Sequence, residues 1–96
     1  MKMFFIIYDA DFDEDVMGTL EACSITAYTK WDQVMGKGNT SEPKLDDSVW
    51  PGFNIAVFVV VEDDVGDRLF NAMERLSRDL GGIGCKVFEL PVLRVI

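Results

Sequence analysis

NIAVFVVVEDDVGDRLFNAMERLSRDLGG, residues Asn54 to Gly82, changes its period part-way along, and that change decides the fold. After Asn54 the next seven residues are a continuous apolar run of strand length, rich in β-branched side chains. From Val65 onward Val65, Leu69, Ala72, Met73, Leu76 and Leu80 share one helix face. Acids open this helix, where its backbone dipole is positive, and the Gly81-Gly82 pair closes it. A strand therefore runs straight into an amphipathic helix.

The same unit occurs upstream. KMFFIIYD, Lys2 to Asp9, is short, aromatic and β-branched, and reads as a strand. A helix of about three turns follows, carrying Phe12, Val16, Met17, Leu20 and Cys23 on one face and capped by Asp11 or Asp13. SITAYTKWDQVM, Ser24 to Met35, returns to strand composition and predicts a second, longer strand. CKVFELPVLRVI, Cys85 to Ile96, ends the chain as a strand interrupted at Pro91, which cannot donate to a ladder, so a short extra C-terminal strand is expected beyond it. The order β-α-β-β-α-β predicts an α+β, ferredoxin-like sandwich: one antiparallel sheet with both helices on one face. At 96 residues the chain makes a single domain, residues 1–96.

Two helices cover only one face of such a sheet. MFFIIY and IAVFVVV are apolar at odd and even positions alike, so the second face must be dry as well. A handful of large apolar side chains on an open face makes a patch of several hundred Å², the size that marks an interface. Self-association through this face is the economical expectation.

Composition narrows the function. Nine Lys and Arg against 17 Asp and Glu leave a net charge of -8, which repels a polyphosphate backbone and argues against nucleic acid as a partner. The N-terminal apolar run is too short for a signal sequence and no stretch is long enough to span a membrane, so a soluble, cytoplasmic protein is expected. Histidine is absent, and with it the commonest acid-base group and transition-metal ligand. Cys23 and Cys85 lack CxxC spacing and read as buried free thiols. DADFDED, Asp9 to Asp15, imitates a calcium loop but has Glu14 where glycine is required and Leu20 where a bidentate Glu belongs. No serine or cysteine has a visible activating base, so no catalytic residue and no metal ligand is assigned, and the chain reads as a non-enzyme.

Two glycine clusters remain as ligand candidates. MGKGNTSEPKLDDSVWPGFN, Met35 to Asn54, contributes almost nothing to a core, and loops of this length in compact domains are usually functional. Its first half offers Gly36, Lys37, Gly38 and Asn39, flexible backbone beside a cation, suited to an anion. Its second half, with Trp50 before a Pro-Gly turn, reads as the anchor that returns the loop to the sheet. GGIGCKVF, Gly81 to Phe88, adds Gly84 and Lys86, with Arg94 further along as another anion contact. In this topology the second turn is expected at the opposite strand end from the helix starts.

GKGNTSEP after the second strand, VEDDVGDRLFNAM opening the second helix, and GIGCKVFEL at the turn after that helix and along the following strand together resemble the PII signal-transduction superfamily. The resemblance covers the whole chain in topology. It implies a homotrimer with sheets packed around the axis, a long T-loop-like segment at about 36–52, and effector clefts between subunits. It also implies adenine nucleotide as an effector and a membrane transporter or enzyme as the target of the loop. The chain is similar to a divergent member lacking the standard PII signature: Gly84-Cys85-Lys86-Val87-Phe88 keeps the lysine and the aromatic strand without the family's Gly-Asp-Gly. A second resemblance, to the CutA divalent-cation tolerance trimers, rests on the shared fold and on Tyr28 and Trp31, one residue further apart than that family's Tyr-x-Trp. A ligand-free interaction module is the third reading.

Overall fold

A computed structural model describes residues 1–39, 42–49 and 51–96. The elements run β1 (Lys2–Asp9), a 3-10 turn (Ala10–Phe12), α1 (Asp13–Ala22), β2 (Thr29–Val34), β3 (Asn54–Val61), α2 (Asp63–Asp79) and β4 (Cys85–Pro91). The strands form one antiparallel sheet in the order β2-β3-β1-β4. This is the expected ferredoxin-like α+β fold.

Strand alternation divides the apolar residues between two faces. Phe4, Ile6 and Tyr8 of β1 and Ile55, Val57 and Val59 of β3 point toward the helices and are buried. Val16 and Leu20 of α1 and Leu69 and Met73 of α2 meet them, each stabilising the fold by roughly 1.5–3 kcal/mol. The other face carries Met3, Phe5 and Ile7, with Phe58 and Phe88 directly opposite Phe5 on the flanking strands. Trp31 lies over this row, its ring 6.0 Å from Phe5 and 5.7 Å from Phe58. Within one chain this face is only partly covered: Trp31 keeps 45 % of its surface exposed and Phe88 50 %.

The structure corrects the sequence reading in three details. β2 begins at Thr29, not Ser24, because Ser24 and Ile25 close α1: Ser24 takes φ 60°, its N–H donates to the Glu21 carbonyl, and the Ile25 N–H donates to Leu20. Neither Asp11 nor Asp13 caps α1. Asp9 caps the preceding 3-10 turn by accepting from the Asp11 N–H, while Phe12 stands at the α1 N-cap without a side-chain bond. Beyond Pro91 the chain forms no further strand: the Val92 N–H donates to the Met1 carbonyl, and the remaining residues are unpaired with the sheet. Leu93 is 90 % exposed there. The Gly81-Gly82 helix end is as read, with φ of 87° and 79° and N–H bonds back to Arg78 and Ser77.

Candidate functional site

β1 and β2 end, and β3 and β4 begin, at one end of the sheet, as the pairings Asp9 to Asn54, Val34 to Asn54 and Tyr8 to Cys85 establish. Asp9 is the junction there. Its N–H donates to the Gly84 carbonyl at 2.8 Å, one carboxylate oxygen accepts from the Asp11 N–H at 2.9 Å, and the other meets the Lys44 ammonium at 3.1 Å. The next residue joins in, since the Ala10 N–H donates to the Phe53 carbonyl at 3.2 Å.

Lys44 in turn fastens the long loop. Gly36 and Lys44 exchange backbone bonds of 2.7 and 2.6 Å in an isolated antiparallel bridge. Asn54 packs so close to Gly36 that a Cβ there would lie 2.8 Å from its side-chain nitrogen. On the returning arm Asp46 takes φ 55° and its backbone N–H donates to the Gly52 carbonyl, while the Asp47 carboxylate accepts from the Val49 N–H. Phe53, packed against the core, anchors the return. Trp50, Thr40 and Ser41 lie outside the described residues.

Gly84 closes the other side of this end. Its φ is 81°, and a Cβ on it would come within 2.6 Å of the Phe12 ring. The Gly81–Gly84 turn therefore sits against the start of α1, contrary to its expected place away from the helix starts. The reason is topological: β4 is antiparallel to β1, so it begins where β1 ends and α1 starts.

On the helix side of the same end, Tyr8, Asp13 and Lys30 tie β1, α1 and β2 together. The Tyr8 hydroxyl donates to Asp13 at 2.7 Å and the Lys30 ammonium pairs with Asp13 at 2.9 Å. Burial pushes the Asp13 carboxyl up, but the Tyr8 and Lys30 bonds outweigh it and hold it below the usual range. Burial first, and then Asp13, push the Tyr8 hydroxyl well above its ordinary value. The unfolded chain ionises this tyrosine near pH 10, so its stabilising contribution is complete below that and is lost as pH rises further. Above pH 10 this residue alone should lower stability by about 1.4 kcal/mol per pH unit. Tyr8→Phe should abolish that slope and cost about 1–2 kcal/mol at neutral pH, measured by urea unfolding at several pH values. Burial also pushes the Cys85 thiol up, away from the reactive thiolate, and both cysteines are free and buried.

The sequence candidates divide by position. Gly36 and Gly84 are both at this end, Lys37, Gly38 and Asn39 are exposed just beyond the bridge, and Lys86 is exposed on the open face opposite Ile7. Arg94 follows β4 and so lies at the far end of the same chain, near Met1. An apolar groove of about 390 Å³ joins the open face to the loop base between Trp31, Met35, Gly36 and Asn54. Sequence reasoning overlooked Asp9 and Lys44 as members of this site and placed Phe12 only on the apolar face of the first helix. The signals of Asp9 and Lys44 were an acid ending a strand and a cation late in a polar loop, neither of which specifies a partner. Among the described residues, no group of three or more His, Cys, Asp or Glu could hold a metal ion.

The profile of the family described as Nitrogen regulatory protein P-II matches residues 1–96, the full length of this sequence. The chain belongs to the P-II family. No curated protein matches it by sequence. Among solved structures, it is similar to CPII, a nitrogen regulatory PII-like protein from Thiomonas intermedia K12, bound to ADP, AMP and bicarbonate. That match has a TM-score of 0.70 at 17 % identity and covers 97 % of this chain and 88 % of the other. A second CPII structure, bound to ADP and bicarbonate, gives 0.65 at 19 % identity over 97 % and 88 %. A third, again with ADP, AMP and bicarbonate, gives 0.66 at 19 % identity over 92 % and 86 %. At such identities the likeness establishes the shared fold. In this P-II family member the loop base and the glycine turn occupy the two opposite edges of the sheet, beside β2 and β4. Three strand spacings, about 14 Å, separate those edges. Among the described residues, no helix is long and apolar enough to cross a membrane.

Proposed function

We propose that this P-II family protein is a cytoplasmic, non-enzymatic homotrimeric regulator that binds a small anionic effector at intersubunit clefts. Its segment 36–52, T-loop-like, reports the bound state to a membrane transporter or an enzyme. The observation that carries this reading is the placement of the two glycine clusters at the same end of the sheet but on opposite edges. A head-to-tail ring of copies brings one copy's β2 edge to the next copy's β4 edge, and so sets Gly36, Lys37, Gly38 and Asn39 of one beside Gly84 and Lys86 of the next. Neither cluster makes a closed site alone. The partly covered aromatic face supports the same assembly, since it needs burial that the two helices do not supply.

The ligands held by the CPII structures make ADP, AMP and bicarbonate the first to test, alongside ATP and cyclic AMP. Calorimetry is expected to give saturable heat with at least one of them at micromolar to millimolar concentration. No heat with any would remove the effector reading. Signalling follows from differential contact: an effector that touches the loop in one arrangement only shifts its population toward that arrangement.

A further inference from the structure

We infer that Lys44 is the loop's principal contact for the anionic effector, ahead of Lys37, and that the Asp9 carboxylate holds its place while no effector is bound. The inference rests on the effector reading above and names the residue pair that would respond. Lys44 is the one loop cation whose position is built by the fold. Its backbone is bonded to Gly36 in both directions, and its side-chain stem runs beside Gly52, where an added Cβ would meet Lys44 Cδ at 3.6 Å. It therefore touches the outgoing arm of the loop, the returning arm and the end of β1 at once. Lys37 stands outside the bridge and is exposed.

The Lys44–Asp9 pair has the character of an exchangeable contact. The side chains retain 31 % and 21 % of their surface, so water reaches both charges. An ion pair at that exposure shifts a population by only a few-fold, and phosphate or bicarbonate oxygens are direct competitors for the ammonium. Displacing Asp9 from Lys44 frees the loop from β1. It also leaves without its neighbouring cation a carboxylate whose residue's N–H holds the Gly84 turn and whose other oxygen caps the 3-10 turn leading into α1. One anion at Lys44 thus reaches the loop, the α1 start and the β4 turn through a single side chain.

Asp9 as an internal competitor makes a prediction opposite in sign to a merely structural role. In calorimetric titrations of the intact protein with ADP and, separately, with bicarbonate, Asp9→Asn should bind about 2–5-fold more tightly than wild type. Lys44→Met should bind about 10-fold or more weakly, Lys44→Arg should retain most of the affinity, and Lys37→Met should lose less than Lys44→Met. Asp11→Asn, which removes a neighbouring charge without touching Lys44, separates competition from a general change of field and should shift affinity less than Asp9→Asn. Without ligand, Gly36 and Lys44 amides should exchange about 2–5-fold faster in Asp9→Asn and in Lys44→Met, and no faster in the double variant. Unchanged or weaker binding by Asp9→Asn, in a protein whose wild type binds, would overturn this inference alone. No heat from wild type with either anion would overturn this inference, and no heat with AMP, ATP or cyclic AMP as well would overturn the effector reading together with it.

Discussion

Gly84→Ala is expected to destabilise the fold by about 2–5 kcal/mol, seen as a lower urea midpoint at fixed protein concentration. Two costs add. A φ of 81° places an L-residue in the left-handed region, at roughly 1–2 kcal/mol. The new methyl would also stand 2.6 Å from the Phe12 ring, closer than carbon atoms approach, so Phe12 or the turn must move, and overpacking of this kind costs about 1–3 kcal/mol. Phe12 is packed against the core and so does not swing freely into solvent. The two costs separate by comparison with Gly81→Ala, where φ is 87° but nothing lies within 4 Å of the new Cβ. That variant should lose only the backbone part. Shortening the ring with Phe12→Leu in the Gly84→Ala background should recover part of the packing cost, a non-additivity expected of touching residues. A loss at Gly84 no larger than at Gly81 would show that the contact with Phe12 does not constrain the turn.

Phe5→Glu is expected to reduce the sedimenting species at about 10 μM protein from three chain masses to one. Phe5 is the middle of the open face, flanked in register by Phe58 and Phe88 and in ring contact with Trp31. A glutamate in a trimer packed through this face would place three unpaired carboxylates around one axis. Burying an unpaired charge costs several kcal/mol even after relaxation, and like charges near one another add to it. The isolated chain does not suffer the same loss, because its core lies on the other side of the sheet. Phe5→Glu should therefore retain the wild-type far-ultraviolet circular dichroism while losing assembly. A variant that still sediments as three chains would rule out packing through this face, and a monomeric wild type at that concentration would remove the trimer itself.

Much of the fold was readable because its signals are local. The period change at Glu62, the Gly81-Gly82 stop and the doubly apolar β1 and β3 each depend on neighbours within a few positions, where propensity and burial speak directly. The errors fell where a local signal had two uses. Ser24 and Ile25 suit a strand, yet they serve the end of α1 because the helix carbonyls need donors. Asp13 suits a cap, yet Tyr8 and Lys30 claim its carboxylate from other elements. The candidate site was legible as two glycine clusters and remained incomplete, because Asp9 and Lys44 are 35 positions apart and meet only through the crossing of β1 with the loop.

By itself the sequence determined the kinds of element, their order and the two apolar faces, since these follow from periodicities of 3.6 and 2 written into consecutive residues. Only the tertiary structure decided which residues stand together at the loop end of the sheet. Antiparallel pairing carries the Gly84 carbonyl to the Asp9 N–H and Gly84 to the Phe12 ring, and folding back of the loop carries Lys44 to the Asp9 carboxylate. Such meetings are set by the register between distant segments, and no short-range pattern of side chains encodes that register.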